Sequence, residues 1–169
     1  MAKLTTVVSG GQTGVDQAAL RAARDCGLAI GGWCPPGRKS EAGPIPAEFP
    51  LRETPVERSP EAPEIPRSLR TEWNVRDSAA TLILRPARGE GADPGTDWAA
   101  RCAERYGRPL LVCDPRDPAA ASLISHWLAE LPIRSLNVAG PSETTAPGIG
   151  KSTHALLMKV LRGPAPHLF

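Results

Sequence analysis

The 169-residue chain has little that would tie it to a membrane, a secretory route or a metal. No apolar run approaches the roughly 20 residues needed to span a bilayer. One Lys precedes an apolar strand pattern at the amino terminus, so a signal peptide is not expected. The four cysteines, Cys26, Cys34, Cys102 and Cys113, show no C-x-x-C spacing. This argues against a disulfide framework or a zinc knuckle and for a reduced, cytoplasmic chain with Cys34 as a packing residue. His126, His154 and His167 have no partner at metal-ligand spacing, so no protein-ligated metal is expected. A net charge of only +2 offers no field to gather nucleic acid. Lysine is scarce, four against sixteen arginines, and arginine suits planar contacts to phosphate or carboxylate.

What is present is strand and helix in alternation. Continuous apolar runs at residues 4–9, 29–32, 80–84, 109–114 and 135–139 read as buried strands of a parallel sheet. Core-facing helical stripes lie between or after them. Val15, Ala18, Ala19, Ala22, Ala23 and Cys26 make the first; residues 96–106, 118–131 and 149–161 carry the others. The pattern predicts one doubly wound α/β domain over residues 1–162, with five mainly parallel strands and helices on both faces. Residues 163–169 read as a flexible tail.

An insert interrupts the alternation after the second strand, at residues 35–68. Nine prolines fall within residues 35–66, which excludes helix interior and central strand. Its first part, around Trp33, Cys34, Pro35, Pro36, Gly37, Arg38 and Lys39, is expected to fold over the sheet edge. Residues 56–68 are expected to be mobile.

Ligands of open α/β sheets sit at the carboxyl ends of the strands. There the chain places Ser9-Gly10-Gly11-Gln12-Thr13-Gly14-Val15-Asp16, a glycine-rich turn opening a helix. Such a turn either cradles an anion on free N–H groups or is simply tight. Asp16 is either a partner of the helix dipole, or a ligand for a ribose hydroxyl or a cation. Gly95-Thr96 opens another helix and would flank the phosphate; Asp93-Pro94-Gly95 is equally ordinary turn chemistry. Arg70-Thr71-Glu72-Trp73-Asn74-Val75-Arg76-Asp77-Ser78 is polar apart from Trp73 and Val75. Trp73 with Arg76 is either core plus a surface ion pair or a stacking platform for a planar ring. Gly150-Lys151-Ser152-Thr153 imitates the end of a P-loop, but position 145 is Thr, not the required Gly.

Five segments in order resemble the molybdenum carrier family: residues 9–16, Gly31-Gly32-Trp33-Cys34-Pro35, Gly43-Pro44-Ile45-Pro46, residues 70–78 and Asn137-Val138-Ala139-Gly140-Pro141-Ser142-Glu143. That family is a circularly permuted branch of the Rossmann-like SLOG group, which also holds the YpsA, DprA and lysine-decarboxylase-like (LOG) proteins. The resemblance implies a Rossmann-like fold, a phosphorylated small ligand (the molybdenum cofactor or a nucleotide), and a homo-oligomer, dimer or tetramer. Gly10, Gly11, Thr13 and Gly14 would hold one phosphate, with Gly95 and Thr96 flanking it. Trp73, Asn74 and Arg76 would meet the ring or sugar, and Gln12, Trp33, Arg70, Asp77, Gly140 and Glu143 complete the expected ligand-binding set. Two departures stand out: Pro94 where the family has Gly, and Ser142 where it tends to have Arg. No nucleic acid and no membrane partner is expected. Related LOG proteins split nucleoside monophosphates, so the rival reading is an N-glycosidase with Glu72 or Asp16 as catalytic carboxylate. A nucleotide-sensing regulatory domain is the third.

Overall fold

The computed structural model describes residues 3–89 and 93–162. The expected tail at 163–169 lies outside the described residues. The elements in chain order are β1 (Thr6–Val8), α1 (Val15–Asp25), β2 (Ala29–Gly31), β3 (Trp33–Cys34), β4 (Lys39–Ser40), β5 (Gly43–Pro44) and β6 (Arg52–Glu53). Then come α2 (Ser68–Arg76), β7 (Ala80–Leu84), α3 (Pro94–Arg105), β8 (Leu110–Cys113), α4 (Ala120–Ala129), β9 (Ser135–Ala139) and α5 (Ile149–Leu161).

Five strands form one sheet in the order β2-β1-β9-β7-β8, every pair parallel. The expected α/β architecture is therefore the observed one. From β1 the chain crosses through α1 to one edge; from β7 it crosses through α3 to the other. Right-handed crossovers running in opposite directions put their helices on opposite faces. On one face α1, α4 and α5 bury Ala19, Ala23, Ile124, Ile149 and Leu157 against Val7, Leu82, Leu84 and Leu136. On the other, Val75 of α2 and Trp98, Cys102 and Ala103 of α3 cover Ile83. Leu82 and Leu84 face one layer and Ile83 the other, the period-two alternation of a strand covered on both sides.

Two parts depart from the sequence expectation. Residues 70–76, read as part of a polar segment, lie in α2, Ser68–Arg76. Residues 56–68, expected to be mobile, are packed: Ala62 and Ile65 are buried with Trp98, and the Ser59 amide donates to Ser68 Oγ at 2.8 Å. Prolines here punctuate turns that point Ala62 and Ile65 inward and leave Val56 exposed. The first part of the insert closes over α1, where Cys34, Ile45, Phe49 and Leu51 bury Leu20.

Candidate functional site

At the carboxyl end of β9 the two crossovers diverge and leave a cleft of about 240 Å³. Its walls are the turn into α1, the start and inner side of α2, the first turn of α3 and the loop after β9. Gly10, Gln12, Asp16, Arg70, Asn74, Gly95, Thr96 and Gly140 line it, so eight residues anticipated from the sequence converge. Arg67, Asp93, Asn137, Ser142 and Thr145 also line it and were not anticipated.

Arg70 and Asp16 form the floor. Arg70 Nη1 donates to the Gly10 carbonyl at 2.7 Å and lies 3.6 Å from Asp16 Oδ2. The same Asp16 oxygen accepts the Gln12 amide at 3.2 Å. A Cβ on Gly10 would collide with the Arg70 guanidinium, so this glycine exists to admit an arginine. Burial pushes the Asp16 carboxyl above its ordinary range, opposed by the charge of Arg70, the Gln12 amide and the neighbouring Ser9 hydroxyl. Burial likewise lowers the Arg70 pKa, and Asp16 counters it.

The remaining glycines of the motif serve packing. Gly14 has φ 80° and presses on the backbone of Pro141–Glu143, where any side chain would clash. Gly11 faces Ile45 and Leu51 of the insert. Some donors of the turn are consumed: the Gln12 amide goes to Asp16, the Thr13 amide to Gln12 Oε1 at 3.0 Å and the Val15 amide to the Pro141 carbonyl at 3.2 Å, whereas the Gly10, Gly11 and Gly14 amides have no hydrogen-bond partner among the described residues. Thr13 Oγ1 donates to Glu41, which also accepts the Thr144 amide at 3.0 Å. Burial opposes ionisation of Glu41, yet these hydrogen bonds outweigh it and hold the carboxyl below its usual range. Glu41 thus pins the β4–β5 hairpin to both loops.

At α3 the Asp93 side chain caps the helix, accepting from the Thr96 amide at 3.2 Å and from the Thr96 hydroxyl. Gly95 and Thr96 reach the cleft, but both Thr96 donors are already held. The basic groups of the cleft are Arg70 and Arg67. Arg67 precedes α2 in the left-handed region, φ 60°, a backbone cost of about 1–3 kcal/mol for a non-glycine residue. That conformation turns the chain so that residues 65–67 wall the cleft.

Several anticipated residues lie elsewhere. Glu72 faces away from the cleft: it accepts from Ser59 Oγ at 2.6 Å and from the Tyr106 hydroxyl at 3.1 Å. The helix explains this, because Arg70 and Asn74 are four apart on one face and Glu72 is two from each. Glu143 caps α5, accepting the Gly148 amide at 3.0 Å and the Gly150 amide at 2.6 Å. The P-loop look-alike at that helix start is therefore occupied by the protein's own carboxylate. Trp33 and Trp73 meet edge to face at 4.8 Å on the outer side of α2. Arg52 stacks on Trp33 at 4.7 Å and Arg76 on Trp73 at 4.6 Å. Asp77 accepts from Trp33 Nε1 at 2.9 Å and pairs with Arg76 at 2.7 Å. The anticipated stacking platform is thus filled by the chain's own guanidiniums, outside the cleft. Asn74 joins the two regions: its amide donates to the Trp33 carbonyl and accepts the Trp33 amide, at 2.9 and 2.8 Å.

Among the described residues, no three His, Cys, Asp or Glu side chains group so as to hold a metal ion. No described helix is long and apolar enough to cross a membrane. A family model described as the circularly permuted YpsA SLOG family matches residues 7–161. A crystal structure named "Putative molybdenum carrier protein", from Syntrophus aciditrophicus SB, is 37% identical; the match covers 94% of this chain and 95% of that one, with a TM-score of 0.82. None of the curated proteins matches.

Proposed function

This chain belongs to the circularly permuted YpsA SLOG family, and from that premise we propose that it binds and carries a small phosphorylated ligand in the cleft at the end of β9. One observation carries the reading: Arg67 and Arg70 both line a cleft whose other walls are mostly small and polar, with Asp16 and Asp93 as its carboxylates. Two guanidiniums facing one cavity at the carboxyl edge of a parallel sheet are what an anionic group requires. The glycine-rich turn contributes by admitting Arg70 and by the Gly10, Gly11 and Gly14 amides, which no described residue takes up.

The similar crystal structure bears the name of a molybdenum carrier, and the cleft suits the phosphorylated end of a molybdenum cofactor as well as a mononucleotide. Molybdenum is cargo in this reading, held by the cofactor, because the described residues offer no metal-binding group. Arg67 and Arg70 would hold the phosphate, and Gly95, Thr96 and Gly140 would shape the wall beside it.

Calorimetry with a panel of nucleoside monophosphates and the matching unphosphorylated nucleosides tests this. The monophosphates are expected to bind and the nucleosides not to. Arg67→Ala should weaken the monophosphates about tenfold or more, the loss of one charge-assisted hydrogen bond. Equal affinity for both sets would remove the anion site. The ligand should be recovered intact by chromatography. Release of free base by the wild type, lost in Asp16→Asn, would make the protein an N-glycosidase instead, with Asp16 rather than Glu72 as its carboxylate.

A further inference from the structure

The β4–β5 hairpin touches the cleft at one remove, through Gln12. Gln12 lines the cleft and is only 6% exposed. Its side-chain oxygen accepts two backbone amides, from Thr13 at 3.0 Å and from Glu41 at 2.9 Å. A nitrogen in that place would set donor against donor, so the two bonds fix which end of the carboxamide is which. Gln12 Nε2, with both its hydrogens, donates to no described residue. Among the described residues Thr153 Oγ1 is the only fully enclosed side-chain oxygen or nitrogen without a partner. Gln12 Nε2 is therefore not sealed in, and the residue's open surface is the part that lines the cleft.

Buried polar groups are nearly always satisfied, so an oriented and unused donor there asks for an acceptor. The amide that orients it belongs to the tip of the hairpin, and the tip is held by its own carboxylate. Glu41 Oε1 accepts from Thr13 Oγ1 and from the Thr144 amide at 3.0 Å. Thr13 Oγ1 in turn accepts the Glu143 amide at 3.2 Å. The Glu41 carboxylate thus ties the turn after β1 to the loop after β9, while its amide steadies the side chain that this turn presents. Glu41 itself is exposed and lies outside the cleft lining. Holding a donor in place before a ligand arrives removes the entropy cost of ordering it on binding.

Resting on the reading of the cleft as a site for a phosphorylated ligand, we propose that Glu41 is a positioning residue of that site, acting through Gln12, whose Nε2 it keeps aimed at a phosphate oxygen of the ligand. Gln12 belongs to the same turn as the unpartnered Gly10 and Gly11 amides, so the three donors serve one anion. The hairpin meets no ligand atom. Its charge alone would act in the opposite sense, since a carboxylate near a phosphate repels it. Removing the charge and removing the bonds therefore have different expected effects.

The probe is whichever of AMP, GMP, CMP and UMP the wild-type protein binds most tightly by calorimetry. Gln12→Ala should weaken it about tenfold, the loss of one hydrogen bond to a charged group. Glu41→Ala should weaken it about threefold or more, and Glu41→Gln should keep the wild-type affinity, because its side-chain oxygen can accept the same two donors. In the Gln12→Ala background, Glu41→Ala should cost little further. Wild-type affinity in Gln12→Ala or in Glu41→Ala would overturn the proposal. So would equal changes in Glu41→Ala and Glu41→Gln, which mark a charge effect, or additive losses in the double variant, which mark a role apart from Gln12. A readout that needs no variant is the Gln12 side-chain amide signal of the nitrogen-15-labelled wild type, assigned through bonds. It should shift on saturation with the probe, and an unmoved signal would overturn the proposal even if a variant fails to fold. All of these leave the anion site standing; binding of none of the four nucleotides would overturn that reading and this one together.

Discussion

Arg70 reaches the floor of the cleft only because Gly10 has no side chain, and it stays charged there because Asp16 lies 3.6 Å away. Neither residue is favourable alone: a buried ion pair gains little overall, but removing one partner strands the other. Arg70→Met should therefore cost about 3 kcal/mol in a urea unfolding series, the usual range for a broken buried pair. Adding Asp16→Asn should recover most of the loss, because both charges are then gone. Additive losses in the two single variants would mean that the groups do not interact. The sequence shows both residues and the motif around Asp16, but not their pairing. Nothing in local spacing says that a helix some fifty residues on will lay its arginine against Gly10.

At the scale of elements, two helix starts in the site region are capped by a carboxylate drawn from outside the helix body. Glu143 serves α5 and Asp93 serves α3. Glu143→Ala should lower stability by about 1–2 kcal/mol through two uncapped amides, with affinity for a nucleoside monophosphate unchanged. A loss of affinity without a loss of stability would return Glu143 to the ligand. The sheet strands and four of the five helices were legible because their apolar residues recur with clean periods. The helix α2 was not, since its apolar positions, Leu69, Trp73 and Val75, break the stripe and an arginine-rich, proline-led approach precedes it. Its packing comes from partners distant in sequence: Ser68 Oγ bonds the Ala62 carbonyl at 2.9 Å, and its own carbonyl accepts from Trp98 Nε1 at 3.1 Å. With α2 unread, Arg67 could not be placed, and Glu72 could not be seen to point outward. Glycines were the strongest signal, and they serve close packing and an admitted guanidinium, with the Gly10, Gly11 and Gly14 amides left without a partner among the described residues.

For the whole molecule, the outer strand β8 is the exposed flank of the sheet. Leu110 and Val112 are 36% and 46% exposed there, and the strand has a hydrogen-bonded neighbour, β7, on one side. An unpaired apolar edge invites a second copy, and a twofold axis beside β8 would pair the strand with itself. A dimer is expected by light scattering, with Val112→Lys shifting it to monomer; a monomeric wild type at micromolar concentration would reject this interface. The outer side of α2 has a different property. Asn74 lines the cleft while gripping the backbone of Trp33 through two hydrogen bonds, and Trp33 meets Trp73 at 4.8 Å and 75°. Two indoles this close share their electronic transitions, so the pair gives an exciton signal whose sign and strength depend on their mutual angle. A ligand that draws Asn74 toward itself tilts one ring against the other. Circular dichroism during titration with a nucleoside monophosphate is therefore expected to change where the ligand engages Asn74, and an unchanged couplet at saturation would show that it does not.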